Sequence, residues 1–185
     1  MNLINRVRHS LIVLCLAGMT LSSSAFAQLS KFSDGPVIEG FGKKVVVGES
    51  KFSVDQSFKV AFDVAATGDA GEVNRKFDSL ARFINMNVAA GINKENIQLA
   101  LVVHGKASLD LLNNETYQRA KESDNANIPL LESLMKNNVQ VFICGQSMTA
   151  YEIAPEQLVD GVQVALSAMT AHALLQQQGY TVNPF

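Results

Sequence analysis

The side chains of this sequence best suited to chemistry are a cysteine and a histidine, each closing an apolar run. Cys144 ends the run in VQVFICGQSM, and His104 ends the run in IQLALVVHG. A thiolate is a strong nucleophile, and an imidazole gives or takes a proton near neutral pH. Gly145-Gln146-Ser147, directly after Cys144, can begin a short helical turn whose backbone N–H groups favour thiolate over thiol. Glycine at 145 lets the chain bend sharply and lets a ligand approach the backbone. The same spacing also fits a buried, inert cysteine finishing a core strand, and a hydrogen-bonded structural histidine at 104. His172, between Ala171 and Ala173, reads as a helix-face residue. No metal is expected, because Cys144, His104 and His172 have no ligand-pair spacing and a structural zinc takes four ligands. HGKAS lacks the leading glycine and spacing of a phosphate loop, and Ser108 and Ser147 lack the nucleophile-elbow pattern.

These groups need a scaffold that brings strand ends together. The β-branched and aromatic run FKVAFDVA, Phe58 to Ala65, reads as the first core strand, followed by a turn at TGDAG. An amphipathic helix comes next: Phe77, Leu80, Ala81, Ile84 and Val88 recur at three and four, with Asn74 as N-cap and Gly91 as stop. Ile97 to Gly105 is a nearly continuous apolar strand, which implies burial on both faces as in a parallel sheet. The polar stretch after it holds helical turns around Leu109–Leu112 and Glu115–Lys121, then a mobile loop. PLLESLMKNN starts a helix on proline with Leu130, Leu131, Leu134 and Met135 on one face, ending at Asn137 or Asn138. It feeds the strand VQVFIC. A strand at Val162–Ser167, a helix in AMTAHALLQQQG and a short strand at YTV complete the chain. Strands alternating with helices through short turns predict an open α/β sheet, mostly parallel, with right-handed crossovers. In such sheets ligands gather at the carboxyl ends of the strands, where both His104 and Cys144 fall.

The N-terminus has a different character. Arg6 and Arg8 precede an apolar run from Leu11 to Leu21 and an Ala25-Phe26-Ala27 end. That is the pattern of a secretory signal peptide, with cleavage expected after Ala27 and Cys15 merely apolar within it. Residues 28–50 then form an extended arm or small hairpin with strand-like pieces at Val37-Ile38 and Val45-Val47, and residues 51–185 a single α/β domain. Without the leader, 13 basic side chains face 17 acidic ones. That balance offers no attraction to nucleic acid or to an anionic membrane surface. Location in the periplasm or outside the cell is expected. There Cys144 would stand alone, without an internal disulfide, either buried and inert or kept for reaction.

Four blocks in order, GEVNRKFDSLARFINMNVAAG, LALVVHGKASLDLLNNETY, NIPLLESLMKNNVQVFICGQSM and GVQVALSAMTAHALLQQQGY, resemble the DsrE/DsrF-like family in its signal-peptide-bearing branch, over roughly Val37 to Tyr180. The resemblance implies a Rossmann-like three-layer fold with an N-terminal arm. It also implies assembly into dimers, trimers or hexamers, and relatives that carry sulfur as a cysteine persulfide between a sulfane donor and an acceptor thiol. The sulfur-carrying position matches Cys144, the histidine of the VHG block matches His104, and the asparagines of LLNNETY match Asn113 and Asn114. His104, Gly105, Asn114, Gly145 and Gln146 are then expected to line the crevice beside Cys144, with no cofactor. The competing expectation is a non-enzymatic ligand-binding or assembly module with a structural cysteine. A third is redox sensing through a mixed disulfide.

Overall fold

Side chains on a strand alternate between its two faces, so a sheet covered on both sides must be apolar at every position. The computed structural model shows this arrangement in the middle of its central strands, at Val60–Phe62, Leu99–Val103 and Val141–Cys144. It describes residues 31–48 and 54–184, with a unit spanning Asp34–Phe185. The leader expected at 1–27 and the first residues of the arm, 28–30, lie outside the described residues, as do 49–53.

The elements are β1 (Phe58–Val64), α1 (Arg75–Ala89), β2 (Ile97–Val103), α2 (Asn114–Lys121), α3 (Ile128–Lys136), β3 (Gln140–Cys144), α4 (Gly145–Ala150), β4 (Gln163–Ala165), α5 (Ala168–Gln177) and β5 (Thr181–Asn183). The strands form one sheet in the order β4-β3-β2-β1-β5, and every pairing is parallel. The first four strands step outward in one direction. The last crossover, through α5, returns over the sheet to place β5 beside β1.

This topology makes three layers. Val60, Phe62 and Val64 of β1, Leu99, Leu101 and Val103 of β2, and Val141 and Ile143 of β3 face α1 and α3 and form the larger core. Phe77, Leu80, Ala81 and Ile84 supply the matching stripe of α1, and burying each large side chain contributes about 1.5–3 kcal/mol. The other face carries Ala61, Ala100, Val102 and Cys144 against Ala168, Ala171 and Leu175 of α5. Small residues at 61 and 100 let that single helix lie close to the sheet. Among the described residues no helix is long and apolar enough to cross a membrane.

Four local expectations are corrected. Val37 and Ile38 lie in bends, Val45–Val47 has no regular structure, and β4 is shorter than Val162–Ser167. The bends arise because the arm is gripped by one side chain instead of a neighbouring strand. Asn85, fully buried in α1, accepts from the N–H groups of Val37 (3.1 Å) and Ile38 (2.9 Å) and donates to the carbonyls of Ile38 (2.8 Å) and Phe41 (3.0 Å). Ile38 is thereby seated in the core. The stretch after α2, expected as a mobile loop, is instead fastened by Asn125, whose amide donates to the carbonyls of Asp110 and Leu112.

Asn85→Ala removes every one of these side-chain bonds while leaving α1 a good helix former. The expected loss is about 2 kcal/mol in urea unfolding, because the freed backbone groups can reach water once the arm lifts. Protease cleavage within residues 35–48 should also appear before the domain unfolds. An arm that stays protected in the variant would contradict the grip.

Candidate active site

Parallel pairing and alternation place three reactive side chains on the α5 face at the carboxyl end of the sheet. Asp63 is opposite Val102, and Val103 is opposite Ile143. His104 and Cys144, one step beyond that last pair, therefore emerge side by side from adjacent strands. Asp63 is on the same face from β1. Above them α5 crosses the sheet and contributes His172.

The four side chains share a cavity of about 340 Å³, completed by Gln146, Ser147, Ser167, Ala168 and Met169. A larger hollow of about 540 Å³, lined by the loop after β1 and the first residues of α1, has neither a cysteine nor a histidine in its wall, so nucleophilic chemistry belongs to the smaller one. Asp63 is the hub of its polar side. The Nε2 atom of His104 lies 3.2 Å from one carboxylate oxygen and 3.3 Å from the other, while Nε2 of His172 lies 2.8 Å from the first. His104 and Asp63 are each about a third exposed, at 32%, and His172 is more enclosed, at 15%. The Nδ1 atom of His172 is buried without a partner. A hydrogen there would be an orphan donor, so the ring hydrogen belongs on Nε2, pointing at Asp63. Among the described residues no three His, Cys, Asp or Glu side chains are placed to hold a metal ion.

Cys144 is the N-cap of α4 and is 6% exposed. Burial is the largest influence on its thiol and pushes it up. Hydrogen bonds from the backbone and hydroxyl of Ser147, and from the backbone of Ala168 and Gln146, outweigh burial together and hold the thiol below its ordinary value. The sulfur thus sits between the first turns of two helices, α4 and α5, each presenting N–H groups. Ser147 is itself oriented: Gly105 donates its N–H to Ser147 Oγ at 2.9 Å, leaving the hydroxyl hydrogen for the sulfur. Gly105 makes this possible by adopting φ +55°, in the left-handed region. Gly145 has a different reason. A Cβ there would come within 2.8 Å of the Ala165 carbonyl, so glycine is what lets β4 close over the base of α4.

His104, Cys144 and Gln146 therefore meet in one cavity, flanked by the backbone of Gly105 and Gly145. Asn114 is elsewhere: it opens α2, donates to Asp124 and accepts from the backbone of Asn125. Its neighbour Asn113 caps α2 and bonds the carbonyl of Glu156. Sequence reasoning misses two functional candidates. Asp63 was legible as a lone carboxylate inside an otherwise apolar strand, where an unpaired charge is disfavoured. His172 was legible from spacing, since with Ala168, Ala171 and Leu175 it completes the three-and-four stripe of α5 that faces the sheet.

Two solved structures are similar to this chain. A protein of unknown function from Methanobacterium thermoautotrophicum, MTH1491, is 17% identical, with a TM-score of 0.49 over 70% of this chain and 100% of its own. The ychN protein from E. coli is 21% identical, with a TM-score of 0.47 over 69% of this chain and 99% of its own. No curated protein matches the chain significantly. The sequence model of the DsrE/DsrF-like family matches residues 59–184. Because that match runs from the second residue of β1 to the residue after β5, and so takes in every strand and all the residues that line the Cys144 cavity, the chain belongs to the DsrE/DsrF-like family.

Proposed function

We propose that this protein carries sulfane sulfur as a persulfide on Cys144, in the periplasm and as a homo-oligomer, receiving the sulfur from a small donor and yielding it to an acceptor thiol. The observation that carries the reading is the cavity in which a thiol held below its ordinary value by N–H and hydroxyl donors sits with a carboxylate-bridged pair of histidines. Loading is a nucleophilic substitution at sulfur. The Cys144 thiolate attacks the sulfane atom, a new Sγ–S bond forms, the donor's S–S bond breaks, and its electron pair leaves with the departing group. No net oxidation occurs. The donors around Sγ that stabilise a thiolate are suited to the persulfide anion that replaces it. Family membership supports a place in sulfur relay. The leader-like N-terminus supports export, and the exposed Val164 and Leu174 support contacts between copies.

The test is to incubate the purified protein with polysulfide and record its intact mass, alongside Cys144→Ser. A gain of sulfur that is reversed by reductant and absent from the variant is expected. The low exposure of Cys144 favours a second reading, a non-enzymatic ligand-binding or assembly module with a structural cysteine. That reading predicts no adduct and a thiol that resists alkylation until the protein unfolds. Glutathione adducts without sulfane loading would instead mark a redox sensor.

A further inference from the structure

We infer that the donor accepted at this site is the persulfide of a small organic thiol, R–S–SH, and that His104 is the acid that protonates the thiolate it leaves behind, with Asp63 and His172 as positioning residues. This rests on the reading of Cys144 as a sulfur carrier and names the chemistry that loads it.

Three observations converge on that class. The first is charge. No lysine or arginine lines the cavity, and its one ionic side chain of fixed sign is the carboxylate of Asp63. A sulfur oxyanion such as thiosulfate would bring two negative charges beside that carboxylate and a thiolate, with none of the cationic side chains that recognise oxyanions. The second is the acid. A sulfite leaving group departs unaided, whereas an alkyl thiolate is basic and leaves faster when protonated. His104 is well placed to protonate it. The ring is exposed at the cavity wall, its Nε2 is engaged by both oxygens of Asp63, and its Nδ1 makes no hydrogen bond to the described residues. Nδ1 is therefore the ring nitrogen left free to pass a proton to the incoming molecule. His172 holds Asp63 from behind through a single 2.8 Å bond and has no free donor of its own. The third is the rim. Met169, 81% exposed, lines the mouth, and Leu166, 73% exposed, follows β4 at the same edge. Apolar side chains there suit an organic R group, and the recess of Sγ within about 340 Å³ suits a small one.

The balanced step is Cys144–S⁻ + R–S–SH + His104–H⁺ → Cys144–S–SH + R–SH + His104. One S–S bond forms and one breaks, the electron pair goes to the inner sulfur of the donor, and the proton goes from imidazolium to that sulfur.

The experiment follows modification of Cys144 by intact mass with three probes: cysteine persulfide, thiosulfate, and an aryl disulfide whose leaving thiolate is weakly basic. In the unmodified protein, cysteine persulfide should load at least about tenfold faster than thiosulfate. His104→Gln should slow persulfide loading about 100-fold, the lower range for a positioned acid, yet leave the aryl disulfide reaction within about threefold because that leaving group needs no proton. Asp63→Asn and His172→Gln should show the same selective loss to a smaller degree. Equal rates with thiosulfate and cysteine persulfide, or a His104→Gln effect that falls equally on both the persulfide and the aryl disulfide, would overturn the inference while leaving sulfur carriage intact. If the aryl disulfide reacts but no sulfane donor loads Cys144, carriage itself fails and the inference with it. An unfolded variant identifies itself by faster aryl disulfide reaction, and the comparison of donors on the unmodified protein needs no variant.

Discussion

Replacing Asp110 with alanine is expected to destabilise the protein by about 3–5 kcal/mol, the summed cost of leaving three buried donors without their acceptor. The carboxylate is fully buried at the end of the turn that follows β2 and has no ion-pair partner among the described residues. Three donors satisfy it instead: the hydroxyl of Thr67 at 2.6 Å, the N–H of Gly68 at 2.9 Å and the amide of Asn74 at 2.7 Å. The network continues inward. Asn127 accepts from the Asn74 backbone, Asn125 accepts from the backbone and amide of Asn127, and the Asn125 amide returns to the carbonyls of Asp110 and Leu112. Three connections, after β1, after β2 and before α3, are thus tied to one carboxylate. The Tyr117 phenol beside it is pushed up by burial and further by the Asp110 charge, against a hydrogen bond with the backbone of Gly71. Alanine would leave the donors of residues 67, 68 and 74 facing a void, each costing about 1–3 kcal/mol in part relieved by water. Urea unfolding should show the loss, and the thermal midpoint should fall by roughly 10 °C for a domain of this size. A change under 1 kcal/mol would mean that the loops hold without their shared acceptor.

The scaffold was legible where one physical signal dominated. Nearly continuous apolar runs at 97–103 and 139–144 read as strands buried on both faces, and the three-and-four spacing of Phe77, Leu80, Ala81 and Ile84 reads as one helix. Parallel pairing put His104 and Cys144 at one edge of the sheet, and they meet because β2 and β3 are neighbours. Residues whose roles depend on strand order were harder to read. Asp63 reaches His104 because β1 neighbours β2, and His172 reaches Asp63 because the last crossover returns over that face. Neither adjacency is written in local spacing. Asn114 illustrates the opposite case: it follows an apolar strand and turn, yet the turn carries it away from the cavity and its side chain is spent on Asp124 and Asn125. Val37 and Ile38 have strand-like composition, but a single buried amide on α1 dictates their bends.

Ser147→Ala should slow alkylation of Cys144 by iodoacetamide about tenfold at neutral pH and leave the rate nearly unchanged at high pH. The hydroxyl of Ser147 is one of the donors that draw the thiol below its ordinary value, and the N–H of Gly105 fixes its direction. Its loss removes a hydrogen bond to a charged sulfur, worth about 1.5–3 kcal/mol, while the backbone donors at 146, 147 and 168 remain. The sign follows from which form is stabilised. The hydroxyl favours thiolate, so its removal raises the midpoint of the rate profile and lowers the thiolate fraction at every pH below the new midpoint. Above it both proteins are fully ionised, and the rates converge, with the variant slightly faster because a more basic thiolate is the better nucleophile. This profile separates electrostatic support from loosening of the fold. If Ser147 only held α4 against the Gly105 turn, its removal would open the cavity and raise the alkylation rate at all pH values. An upward shift of the midpoint with converging alkaline rates assigns Ser147 to the sulfur. Unchanged midpoints would leave the α4 and α5 backbone groups as the sole support of the thiolate, and selective loading at Cys144 would then have to survive Ser147→Ala undiminished.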